Sequence, residues 1–391
     1  DQKDLTVDGI PEIFETDLSK VNITRGSQVY FNASFYAGDQ DKETEGQGET
    51  VCGAMVDAVF TYLIDPIAYR DAVTGQIAED SRYQVKTCSA VRNSDKCYTL
   101  TADVSKCDIL ESNSILKSLN NEEQIQYIAE HYIGTPVAAT SARLPGFIWK
   151  ELKQLDKTGR FTDEPVLYLT FDDWGTDVSI NHLLYVLGKY DIKATFYVRA
   201  NYVSNNPNLL RAIAEAGHEV ASHGYAHLPL AQYVEKRGVY VSPTDEAASE
   251  LRADVVKSYK ELYAYIGDVE VDGVAALSKT FRPPTLAVSR VGLTEIFDVG
   301  FEYIISGDIS TNDYEAASVD ELLNKFRRGI GQQRITNGSV IVMHMQENAC
   351  YTAQALDQMI PIWKDQGYSF ERVDIGISRE LSAHAIAEDE R

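Results

Sequence analysis

Val166-Leu-Tyr-Leu-Thr-Phe-Asp-Asp173 runs a short, mostly apolar stretch directly into two adjacent acids. The apolar part is a short run that reads as a strand. Working outward, a helix-like stretch follows at 179–190, then an apolar run at 194–198, a helical stretch at 208–216, a short strand at 218–221 and a long helix over 245–266. Further strands are expected at 280–281, 302–305 and 339–343, and further helices at 289–299, 318–328 and 352–364. Strands that alternate with helices imply a parallel sheet or barrel. No internal repeat or low-complexity segment interrupts the pattern.

Polar residues cluster just after the expected strands: Asp172 and Asp173, His223 and His227, Arg282, Asp308 and His344. In a β/α barrel the C-terminal strand ends form the active face. A purely structural account would have to repeat the coincidence on five separate segments. Ser222-His-Gly-Tyr-Ala-His227 alone is a weak signal, because histidines four apart are more often surface or core residues than ligands. The nearby acid pair changes the balance, since adjacent carboxylates at a strand end repel unless a cation compensates. Two imidazoles and one carboxylate make a facial ligand set with positions left open for water and substrate. His218, inside a strand, reads as a structural histidine, and so does His131; His182 and His384 read as surface residues and Glu347 as a loop residue.

With 391 residues the chain has room for two or three domains. Residues 1–145 are expected to be an N-terminal β-rich accessory domain, 146–160 a linker and 161–391 the catalytic domain. In the first of these, residues 29–35 alternate with period two, 56–64 is a second strand and 38–49 reads as an exposed loop. The net charge of −23, spread along the chain, repels nucleic acid and anionic membranes. It also disfavours a strongly anionic polysaccharide as substrate. No run of about 18 or more apolar residues is available to span a membrane. Four of the five cysteines (Cys52, Cys88, Cys97, Cys107) fall in the first third, and Cys350 stands alone. One or two N-terminal disulfides would suit an oxidising compartment. The sequence opens at Asp1 rather than Met, which fits a processed export product or a trimmed chain, and a secreted or periplasmic location is expected.

Thr170-Phe-Asp-Asp-Trp174 resembles the T-F-D-D-G motif of NodB-type polysaccharide deacetylases, carbohydrate esterase family four. The segments 192–198, 206–220 and 222–227 are similar to that family almost position by position. Phe281-Arg-Pro-Pro284 resembles its R-x-P motif, 306–314 its D-x-D-x-x-D-W segment, Ile341-Val-Met-His344 its closing L-x-H motif, and 367–370 its last strand. The resemblance covers roughly residues 160–375. It implies a distorted (β/α) barrel of about seven strands. It further implies Asp172 as general base and Asp173, His223 and His227 as ligands of a divalent metal. Zinc is the default by availability, and cobalt and nickel also accept this ligand set. Arg282 would orient and tune Asp172; His344, held by Asp313, would be the general acid; the Thr285 backbone N–H would meet the oxyanion; Val342 and Tyr314 would line the acetyl pocket.

Four positions depart from the family: Trp174 for Gly, Thr285 for an aromatic, Ser310 for Asp and Tyr314 for Trp. None removes a ligand, base or acid. Trp174 is expected to form part of a sugar-binding wall or to narrow the site. The implied partner is an acetylated glycan: chitin-like oligosaccharide, peptidoglycan or poly-N-acetylglucosamine. An O-acetyl (xylan-type) esterase and a catalytically silent carbohydrate-binding protein are the alternatives.

Overall fold

The structure, a computed structural model, describes residues 102, 104–134 and 143–389, together with five strands further N-terminal. Those strands make a three-stranded antiparallel sheet (Ser27–Phe35, Val56–Ile64, Val85–Thr87) and a two-stranded pair (Val91–Arg92, Tyr98–Thr99). The loop expected over 38–49 and Cys52, Cys88 and Cys97 lie outside the described residues. Of the remaining cysteines, Cys107 is buried and Cys350 exposed, and both are free thiols.

The alternation in the sequence produces one parallel sheet. Its strands are β1 (Tyr132–Ile133), β2 (Val166–Asp173), β3 (Thr195–Val198), β4 (Glu219–Ser222), β5 (Leu277–Phe281), β6 (Tyr303–Ile305), β7 (Ile309–Ser310), β8 (Val340–His344) and β9 (Ser369–Phe370). The spatial order is β7-β8-β2-β3-β4-β5-β6-β1, with β9 joined to β2, and every ladder is parallel. Residues 306–308 carry the chain from β6 near one end of this order to β7 at the other. Along the way the Ser306 N–H donates to Ile133 O at 2.8 Å and the Asp308 N–H to Val340 O at 3.1 Å, closing the curl into a distorted barrel.

All eight residues of β2 are buried. Period two sends them to two places. Val166 and Tyr168 face an interior cluster with Ile133, Tyr197, Ala221, Ile305 and Val340. Leu167, Leu169 and Phe171 face the larger core between sheet and helices. The outer layer includes α1 (Asn121–His131), α2 (Trp149–Leu152), α3 (Asp177–Lys189), α4 (Pro207–Glu215), α5 (Asp245–Ile266), α6 (Arg290–Asp298), α7 (Val319–Arg328), α8 (Thr352–Asp365) and α9 (Val373–Asp389). Val373 and Ile377 of α9 join the interior cluster beside Val166 and Tyr168, filling the barrel where its strands begin. The Thr244 hydroxyl caps the first turn of α5 by accepting from Ala247 N.

The expected distorted (β/α) barrel is present; its sheet has nine strands, of which β1 and β7 are two residues long, below the length at which period two is visible. β1 pairs with β6 although it precedes the expected domain boundary at 145. Within the expected linker 146–160, Phe147, Leu152 and Leu155 are buried in the main core.

Candidate metal centre and acid–base pair

Ladder register brings the polar residues together. His344 is level with Asp172 across β8 and β2, Asp173 with Val198 across β2 and β3, Val198 with Ser222 across β3 and β4, and Ser222 with Phe281 across β4 and β5. His223 and Arg282 therefore leave the sheet beside Asp172 and Asp173, on the rim where the strands end.

Asp173 Oδ1 stands 3.9 Å from His223 Nε2 and 3.6 Å from His227 Nε2, and one ligand atom from each of the three lies within 4.8 Å of the others. Atoms about 2.1 Å from one tetrahedral centre are about 3.4 Å apart, so the set fits a divalent cation. The His223 Nδ1–H donates to Arg282 O at 2.8 Å, which leaves the Nε2 lone pair turned to the common point. Burial, followed by the opposing charge of Asp173, leaves the His223 pKa at about 3, and burial likewise lowers that of His227. Neutral imidazoles are what a cation needs. Asp173 and His227 both hold left-handed backbone, φ 76° and 63°, as do Thr285 and Asn312 at 59° and 47°. Non-glycine residues at such φ cost about 1–2 kcal/mol each, and these four lie on segments that follow strand ends.

Asp172 is buried. Its Oδ2 lies 3.6 Å from Arg282 Nη1, and its buried Oδ1 has no hydrogen-bond partner. Burial raises the Asp172 pKa against the pull of Arg282, His344 and His227, which makes its carboxylate more basic than an exposed one. Arg282 is fully buried, stacked on the Tyr197 ring at 4.4 Å, with Nη2 donating to Thr170 Oγ1 at 2.9 Å. His344 Nδ1 donates to Asp313 Oδ1 at 2.7 Å, while Asp313 Oδ2 accepts from His344 N at 2.9 Å and from Thr352 Oγ1 at 2.6 Å. Burial opposes the imidazolium, but the Asp313 bond and the charges of Asp313, Asp172 and Asp173 outweigh it and raise the His344 pKa.

Val342 and Thr285 line a cavity of about 200 Å3 with Ser306, Asp308 and Tyr240. Tyr314 sets its ring edge-on to His344 at 4.7 Å. Trp174 is half-buried against the core. His218 is buried, accepts from Ala194 N at 3.2 Å, and burial lowers its pKa to about 3, as a structural histidine should. His131 stacks on Tyr127 at 4.0 Å and His182 is exposed.

Two residues that matter here carry no sequence signal of their own. Asp254 on α5 accepts the N–H groups of Tyr225 and Ala226 at 2.8 and 2.7 Å, fixing the loop between the two histidines. Gln346 Nε2 donates to Asp173 Oδ2 at 2.6 Å.

The family model for polysaccharide deacetylases matches residues 159–304. A peptidoglycan-N-acetylglucosamine deacetylase of Listeria monocytogenes is 28% identical over 206 residues, covering 53% of this chain and 37% of that protein. A peptidoglycan-N-acetylmuramic acid deacetylase of Bacillus subtilis is 24% identical over 218 residues, covering 54% of this chain and 72% of that one. A solved family-four carbohydrate esterase pseudoenzyme of Bacillus anthracis is 25% identical, covers 55% of this chain and 66% of that chain, and superposes with a TM-score of 0.43. The chain spans little more than a third of the length of the Listeria relative. Over residues 159–304, which carry most of these motifs, the chain is similar to the polysaccharide deacetylases.

Proposed function

We propose that the barrel is a divalent-metal-dependent deacetylase acting on an N-acetylated glycan. The observation that supports it most is the convergence of Asp173, His223 and His227 on one point beside Asp172, whose buried Oδ1 lacks a partner. A divalent cation held there, zinc by availability, supplies Lewis acidity to the amide carbonyl and acidifies water. Asp172 takes the proton of the attacking water, with Arg282 fixing the orientation of its carboxylate. His344, kept cationic by Asp313, returns a proton to the departing nitrogen. The Thr285 N–H donates to the developing oxyanion, and the cavity at Val342 and Thr285 receives the methyl group. The C–N bond breaks as a C–O bond forms, releasing acetate and a free amine.

Peptidoglycan, the substrate in the names of two relatives, is the first glycan to test, with chitin-like oligosaccharide and poly-N-acetylglucosamine next. Such polymers lie outside the cytoplasm, so the proposal carries a secreted or periplasmic location with it. Acetate release from these glycans should vanish on chelation, return with zinc, and be lost in Asp172→Asn. Release only from acetylated xylan would reassign the chain to ester hydrolysis. No release from any acetylated glycan by zinc-loaded protein would leave a silent carbohydrate-binding protein.

A further inference from the structure

Gln346 lies two residues beyond His344, and none of the roles above uses it. The two oxygens of Asp173 divide their work: Oδ1 is 3.6 and 3.9 Å from the Nε2 atoms of His227 and His223, while Oδ2 accepts the Gln346 amide at 2.6 Å. An amide oxygen in that place would oppose acceptor to acceptor, so the carboxylate charge fixes the nitrogen inward. The segment carrying Gln346 is itself anchored. The Met345 N–H donates to Asp172 O at 3.1 Å, Ser179 Oγ donates to Met345 O at 2.7 Å, and the His344 N–H is held by Asp313 at 2.9 Å. Gln346 is half-buried and borders a groove of about 430 Å3 that His344 also lines.

We infer that Gln346 is a positioning residue for the metal centre, capping Asp173 Oδ2 so that Asp173 meets a cation through Oδ1 alone. The inference rests on the metal-dependent function proposed above. A bidentate carboxylate would occupy a position that water and the substrate carbonyl need, and a donor on the second oxygen prevents this. The bond is charge-assisted and therefore among the stronger hydrogen bonds. The same short segment thus sets both the acid, through His344, and the ligand geometry, through Gln346.

Two variants test it on the whole chain: Gln346→Met, of similar length but with no donor, and Gln346→Ala. Zinc affinity is measured by competition with a chromophoric chelator, and ligand geometry by the visible spectrum of the cobalt-substituted protein. Melting of the metal-free proteins checks that each variant folds. Both variants should bind zinc about 10- to 100-fold more weakly, the usual effect of losing a partner of a metal ligand. Their cobalt bands should weaken as Asp173 turns bidentate and coordination number rises. Wild-type zinc affinity with an unchanged cobalt spectrum in both variants would overturn the role of Gln346 and leave the metal centre standing. If the unsubstituted protein binds no zinc, or Asp173→Ala binds it equally well, the inference and the metal centre fall together.

Discussion

Asp313→Asn isolates the part of the site that keeps His344 charged. Asp313 is fully buried and accepts three hydrogen bonds, two of them on Oδ2 from His344 N and Thr352 Oγ1. An asparagine has one oxygen, and those two donors hold it, so its NH2 is left facing His344 Nδ1. A donor then meets the nitrogen that must carry a proton in the imidazolium. The lost bond involves two charged groups and is worth about 1.5–3 kcal/mol, or about 1 to 2 pH units in the ionisation of His344. A shift of about 1 to 2 units lowers the protonated fraction of His344 by at most about 10- to 100-fold, so kcat at neutral pH should fall by up to that factor. The sign follows from the charge: removing an anion beside a cation lowers the pH at which the cation loses its proton. In the parent protein the alkaline fall in kcat should lie above the ordinary histidine value of about 6.5, because Asp313 and its neighbours raise the His344 pKa. In the variant the fall should move to lower pH. The assay is acetate release from an N-acetylated oligosaccharide between pH 5 and pH 9, with zinc held saturating. An alkaline limb that stays in place, or unchanged kcat at neutral pH, would refute His344 as the acid.

Asp308 is buried, with one oxygen bonded to Ser339 Oγ and the other without a partner, and burial raises its pKa to about 7. A raised carboxylate pKa favours folding fully below the ordinary Asp value of about 3.9, and that contribution is lost progressively until pH has passed about 7; Asp308→Asn should therefore stabilise the fold by up to about 4 kcal/mol at pH 8 and by about 1–2 kcal/mol at pH 5, and equal effects at the two pH values in denaturant unfolding would contradict this. Asp254→Ala strips the Tyr225 and Ala226 N–H groups of their acceptor; a loss of about 2 kcal/mol in denaturant unfolding with weaker zinc binding is expected, and unaltered zinc affinity would show that the loop holds its shape unaided. A Cβ at Gly175 would strike the carbonyl oxygen of Met345, so Gly175→Ala should displace the His344 segment, lowering kcat and costing about 1–3 kcal/mol of stability, both checked against the parent protein.

Much of the barrel was legible because long elements announce themselves. The helix expected over 245–266 is α5 to the residue, and the apolar run before Asp172 is β2. Asp172, Asp173, His223, His227, Arg282 and His344 were visible because strand ends present chemistry, and the parallel register gathers them on one rim. Two-residue strands such as β1 and β7 have too few side chains to show a period, and their pairing comes from tertiary packing. The contact of Gln346 with Asp173 joins residues 173 positions apart, which no local spacing encodes. The edge-on contact of Tyr314 with His344 joins two separate segments and likewise has no local spacing that encodes it.

The joint at 306–308 has an implication for how such a fold can diversify. It is three residues long, crosses from the strand next to one limit of the sheet to the strand at the other, and forms one wall of the cavity beside Val342. Gly307 sits flush there, φ 83°, where a Cβ would press on Val342 Cγ2 at 2.7 Å. Lengthening or bulking the joint would therefore reshape that cavity first, and part of the change would pass to Asp172 through Arg282, whose Nη1 reaches Ser306 O at 3.5 Å.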